Sequence, residues 1–143
     1  MDWKNKILNP KGWLIAFGVL FLLAGANNYF AAETSSETAY PDPTDRDVFY
    51  EQTFGLFTMI LAALALTTGL FVTGRELSIL AMVSSGAMMM FFSLHYMAGE
   101  AVDYGYNDPA VLGVILTLTA TLGVSGFLHL NDEEAEEAPA AEA

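Results

Sequence analysis

Cysteine is absent from this 143-residue chain, and basic side chains are nearly so: five lysines and arginines face seventeen aspartates and glutamates. The first absence excludes disulfides, thiolate nucleophiles and thiolate-held metals. The second leaves no basic patch to neutralise phosphates and, with a net charge of −12, argues against a nucleic-acid partner. Charge of either sign is scarce too, at 15% of residues against about 25% in an ordinary soluble domain. Six of the acids crowd into the last twelve residues, so the remainder is poorer still. Missing as well are a Walker loop, a dinucleotide glycine fingerprint, an HExxH pair and a serine–histidine–aspartate arrangement in motif context. An enzymatic role therefore has little to stand on.

What remains is apolar: 54% of residues are hydrophobic, and the mean hydropathy is +0.41. Four long apolar blocks fall at about 13–32, 53–73, 76–98 and 109–130. Each holds about twenty residues, or roughly 30 Å of helix, enough to cross a bilayer. The fold expected is all-α, an integral membrane four-helix bundle of antiparallel up-down helices. Residues 1–12 form a short basic segment in which Pro10 and Gly12 interrupt any helix. Residues 131–143 form an acidic tail, expected to be disordered. The first block could be confused with a secretory signal, but its length favours a membrane span. Residues 33–52, with six carboxylates, one arginine, Pro41 and Pro43, read as an acidic loop. Gly74-Arg75 is so short a connection that blocks two and three should form a hairpin. Asp108 and Pro109 supply a helix cap and first turn for block four. Lys4, Lys6, Lys11 and Arg75 lie on one side and Arg46 on the other, which places both termini inside a plasma membrane.

Small residues mark the expected helix contacts, because lipid supplies no hydrophobic drive between helices. Gly113, Thr117, Thr121 and Ser125 recur every four residues. Gly18 and Gly25 lead toward Asn28, while Thr58, Ala62, Gly69 and Thr73 give block two a looser row. Ala81, Ser84, Met88, Phe91 and His95 share a face of block three, with Gly99 one turn beyond.

Residues 88–100 concentrate the candidate chemistry: Met88, Met89, Met90, His95, Tyr96, Met97 and Glu100. Polar groups at this depth are costly without partners, so Asn27, Asn28, Glu51, Gln52, Tyr96 and Glu100 are expected to converge near His95 at the outer end. Such a cluster either ties loops to helix ends or forms an outward-facing pocket for a quinone or lipid headgroup. His95, Met88 and Met97 offer copper-compatible imidazole and thioether groups. Copper is the weaker option, because His129 lies at the opposite end and methionine is also an adaptable core filler. Asp42, Asp45 and Asp47 could join Glu51, Glu100 or Asp103 around a hard cation, although their spacing fits no calcium loop. No acid or base occupies the middle of any block, so no proton or ion pathway is expected through one chain alone; a pore would need a symmetric oligomer lined by the threonines of block four.

The run FGVLFLLAGANNYF, Phe17 to Phe30, resembles the opening of DoxX-type proteins, small four-helix membrane proteins of which some accompany quinone-linked respiratory oxidoreductases. That family often has a lysine where this chain has Asn27-Asn28, and the resemblance implies no functional residue here. The function expected is a non-catalytic accessory or structural subunit of a larger membrane complex. Its partners would be other membrane chains or further copies of itself. The competing expectation is a redox or ligand-binding membrane protein built on the pocket around His95.

Overall fold

The computed structural model describes residues 6–132. Five helices follow one another: α1 Pro10–Phe30, α2 Ala32–Ala39, α3 Asp45–Phe71, α4 Gly74–Glu100 and α5 Pro109–Leu128. Among the described residues there is no strand. α1, α3, α4 and α5 are long and apolar enough to cross a membrane, and only 17–22% of their most apolar windows is buried within the chain. Leucine, phenylalanine, isoleucine and valine cover much of the remaining surface, as lipid contact requires. The acidic tail from residue 133 and the segment before residue 6 lie outside the described residues.

Helix starts explain where the blocks differ from expectation. α1 begins at Pro10, not Trp13, because Asn9 Oδ1 accepts from the amides of Lys11 (2.9 Å) and Gly12 (3.4 Å). Pro10 then occupies a first-turn position where its missing N–H costs nothing. Far from interrupting a helix, the proline opens one. α3 begins at Asp45, well before Thr53: the Asp47 carboxylate accepts from the Thr44 amide (2.8 Å) and hydroxyl (2.6 Å). The acidic stretch is therefore not simply a loop. Its first part forms α2, whose Ala32, Ser35, Ser36 and Ala39 are buried at helical spacing while Glu33 and Glu37 stay in solvent.

Two tight helix pairs build the molecule. α1 and α3 pack closely and antiparallel, with Gly18 and Gly25 facing Gly55, Ala62 and Gly69. These residues recur every seven positions, two turns, and so stay on one face. A methyl added to Gly25 would lie 2.7 Å from the Gly55 carbonyl oxygen, and one added to Gly55 would lie 2.6 Å from that of Gly25. α4 and α5 form the second pair through Ser78, Ala81 and Ser85 against Thr119, Leu122, Gly123 and Gly126. Ser85 Oγ donates to the Thr119 carbonyl at 2.6 Å. The pairs meet mainly through α1, where Leu14 and Phe17 pack on Leu77, Ala81 and Leu122.

The link between α3 and α4 is only Val72-Thr73, followed by Gly74 in the left-handed region (φ 67°). The chain does reverse here, but α3 and α4 touch little along their length. The close partners are instead α1 with α3 and α4 with α5. The four-residue row on α5 also fails as a packing face. Four residues turn a helix about 40° past a full revolution, so a row that starts outside at Gly113 reaches the interface only at Ser125. The hydroxyls of Thr117 and Thr121 donate to carbonyls four residues back, at 2.8 Å each, and thus satisfy themselves without a pore.

Candidate polar site where α1 ends and α3 begins

Four segments place their polar side chains together where α1 ends and α3 begins. Glu51, on the second turn of α3, is 3% exposed. Asn28 of α1 donates from Nδ2 to Glu51 Oε2 at 2.9 Å, and the Tyr104 hydroxyl donates to Oε1 at 3.1 Å. Each carboxylate oxygen thus has a donor, which offsets the cost of burying it. Tyr104 belongs to the loop after α4, held by its own amide on the Gly99 carbonyl and by Gly105 N–H on the Ala39 carbonyl (2.9 Å). Gly105 is required at that joint, since a methyl there would collide with the Thr38 carbonyl. Asn107 Nδ2 donates to the Tyr96 carbonyl at 3.1 Å and closes the end of α4.

His95 borders this cluster without entering its hydrogen bonds. Its ring lies nearly parallel to Phe54 of α3 (6.0 Å, 11°) and Phe91 of α4 (5.7 Å, 9°), and meets Tyr104 edge-on at 5.6 Å. Tyr40 and Tyr106 also stand edge-on to Tyr104, at 5.5 and 5.7 Å. Burial, then the Glu51 charge and the hydrogen bond to it, hold the Tyr104 phenol above its ordinary range. Tyr40 is raised by burial and then by Glu51 and Asp47. A raised tyrosine contributes stability that is complete below pH of about 10 and is lost as pH climbs toward the folded-state value. Thermal denaturation in detergent should therefore be flat from neutral to mildly alkaline pH and fall off above pH of about 10. In Tyr104→Phe that fall should be shallower.

Of the residues expected to converge, Asn28, Glu51 and His95 do so. Asn27 and Glu100 are exposed, and Tyr96, one turn before Glu100 on α4, takes no part in the hydrogen bonds to Glu51. Met88 packs on the core, while Met97 is 68% exposed. With His95 two turns from Met88, a rise of roughly 10 Å, these three do not gather around one ion. Nor, among the described residues, do three or more histidine, aspartate or glutamate side chains stand where they could hold a metal. Asp47 is committed to the start of α3. Two surface depressions lie away from His95. One, about 480 Å³, runs along α5 beside Leu8, Leu116 and Val124. The other, about 290 Å³, lies between α2 and the start of α3.

Tyr104 and Tyr40 belong to the cluster although the sequence reading does not include them in it. The available signal was the four-residue interval from Glu100 to Tyr104 across a helix end, which does not by itself indicate Glu51. The arrangement can bury and orient one carboxylate, tie four segments together and present one imidazole at the margin. No protein-family model, curated protein or solved structure matches the chain.

Proposed function

We propose that this protein is a non-catalytic accessory subunit of a larger membrane assembly, a four-helix bundle in the plasma membrane with both termini inside. One observation carries the reading. Gly18, Gly25, Gly55, Gly69, Gly123 and Gly126 each lie against a neighbouring helix, whereas Gly86 and Gly113 have nothing within 4 Å. Glycine is a poor helix former, and in membrane helices it favours close approach of another backbone. Two such glycines on open faces of α4 and α5 fit helices contributed by another chain. The site chemistry agrees: among the described residues every buried side-chain polar atom has a partner, so the outer cluster reads as a structural tie. Lys6, Lys11 and Arg75 near one end, against Arg46 at the other, support the orientation. The resemblance of Phe17–Phe30 to DoxX-type proteins points the same way, toward a place beside a respiratory or redox enzyme.

Extraction from native membranes in a gentle detergent tests this. The chain should migrate with other membrane chains or with copies of itself, and a lone monomer would refute the reading. Gly113→Leu should weaken that association about tenfold while leaving the thermal stability of the isolated chain nearly unchanged.

A second reading has its own observation: His95 is exposed, flanked by two phenylalanine rings and close to a buried carboxylate. Such an imidazole could bond the carbonyl of a quinone or the headgroup of a lipid. Mass spectrometry of lipids and quinones retained by the parent and by His95→Ala distinguishes the two. Equal retention removes the second reading.

A further inference from the structure

The two helix pairs are joined covalently at one end only, through Val72-Thr73 and the left-handed Gly74. α3 and α4 have few contacts along their length. At the far end, however, the His95 ring of α4 stacks on Phe54 of α3, with Phe91 parallel to it on the α4 side. Glu51, also on α3, accepts from the hydroxyl of Tyr104, whose ring meets His95 edge-on at 5.6 Å. The ties across the open ends are therefore this stack together with the Tyr104–Glu51 and Gly105–Ala39 hydrogen bonds. Only the stack contains an imidazole, the group that in general changes charge within the physiological pH range.

We propose that this stack is a pH-sensitive clasp that acts beside the Tyr104–Glu51 tie: a protonated His95 draws the outer ends of α3 and α4 together, and a neutral one loosens them about the Val72–Gly74 link. An imidazolium is attracted to the faces of flanking aromatic rings, whereas a neutral imidazole has stacking alone. Where the buried Glu51 carboxylate is ionised it adds Coulomb attraction from across the gap, and its own protonation on acidification would take that part away. The other groups around it do not oppose this change. The loop contributes the Tyr104 phenol, with the Tyr40 phenol behind it, and both stay uncharged below pH of about 10. α1 contributes the neutral Asn28 amide. On α4 itself the exposed Glu100 lies five residues beyond His95, and no lysine or arginine occurs in residues 76–132. Because His95 is exposed, the gain belongs at the lower end for such contacts. The clasp works within a single chain and does not depend on a partner subunit.

The absence of cysteine makes paired labelling direct. Spin labels at Arg46→Cys and Met97→Cys report the outer ends of α3 and α4, and labels at Leu70→Cys and Ile79→Cys report the linked ends. The full chain is placed in lipid nanodiscs, and distance distributions are compared at pH of about 8 and about 5.5, on either side of the imidazole range. Acidification should lower the ratio of separated to closed outer ends about threefold, with the linked ends unchanged. His95→Phe keeps an aromatic ring in the stack and should abolish the response, while Glu51→Gln should diminish it. No response in the parent overturns the proposal. So does a full response in His95→Phe, or one lost in Glu51→Gln but kept in His95→Phe, since Glu51 would then be the group that titrates. If His95→Phe does not fold, His95→Gln takes its place with the same two outcomes.

Discussion

Gly25→Ala and Gly55→Ala should each cost about 2–3 kcal/mol, the upper part of the range for forcing an added methyl into a filled interface. The obstacle is backbone, not a side chain that can swing away. A Cβ on Gly25 lies 2.7 Å from the Gly55 carbonyl oxygen and 2.9 Å from the Met59 nitrogen; one on Gly55 lies 2.6 Å from the Gly25 oxygen and 2.7 Å from the Tyr29 nitrogen. Relief would require α1 and α3 to move apart, which disturbs Gly18 against Leu66 and Gly69 against Ile15 further along the same seam. The Asn28–Glu51 bond one turn away would lengthen as well. Because the two substitutions push the same pair of backbones apart, the double variant should cost clearly less than the sum of the singles. Thermal unfolding in detergent, followed by circular dichroism, measures this. Gly113→Ala serves as the control in open space and should be neutral or slightly stabilising. A Gly25→Ala protein as stable as the parent would show that the α1–α3 seam is looser than its geometry indicates.

Glu51→Ala should cost about 2–4 kcal/mol. The substitution removes the acceptor of two part-buried donors, Asn28 Nδ2 and the Tyr104 hydroxyl, and leaves a gap at a position only 3% exposed. Glu51→Gln should lose much less, about 1 kcal/mol or none. Its carbonyl can still accept from Asn28, and the Tyr104 hydroxyl can reverse to accept from the new amide. Removing the charge also removes the cost of burying it. The order parent, Gln, Ala is therefore the expected result. Tyr104→Phe combined with Glu51→Ala should cost less than the sum of the two singles, because both delete the same bond. If Glu51→Gln proves as damaging as Glu51→Ala, the charge itself has a task that these hydrogen bonds do not describe.

The four long helices were legible because roughly twenty consecutive apolar residues leave little else that the backbone can do in lipid. Helix starts were read unevenly. Asp108-Pro109 was recognised as a cap and first turn, while the same chemistry at Asn9-Pro10 was hidden by the neighbouring lysines and Gly12. Thr44 and Asp47 carry a capping signal as well, but six carboxylates and two prolines around them give the composition of a loop. α2 was illegible for another reason. Its buried face consists of Ala32, Ser35, Ser36 and Ala39, residues too small and too weakly apolar to show a periodic stripe. Small-residue rows caught Gly18, Gly25, Ala62 and Gly69 of the α1–α3 seam but passed over Gly55, which completes its seven-residue repeat, in favour of Thr58 and Thr73. They misled on α5, where they repeat every four. Asn28 and Glu51 could be placed at one depth by counting residues from the helix ends. Tyr104 could not, because its partner lies 53 residues away and no local period links a loop tyrosine to a helix carboxylate.

The division into two pairs of sequence neighbours also bears on how the chain is made. Every contact of the α1–α3 seam is complete once residue 71 has been synthesised, and every contact of the α4–α5 seam lies within the segment that follows. Each pair can enter the membrane as a finished two-helix unit, with only short loops to close before its contacts form. Inside the first unit, the donor Asn28 precedes its acceptor in the chain. Its amide reaches the membrane on α1 before its acceptor exists, and it acquires one when Glu51 arrives 23 residues later. Synthesis paused between these residues would leave α1 with an uncompensated polar end. The same helix, released with α3, carries its own correction.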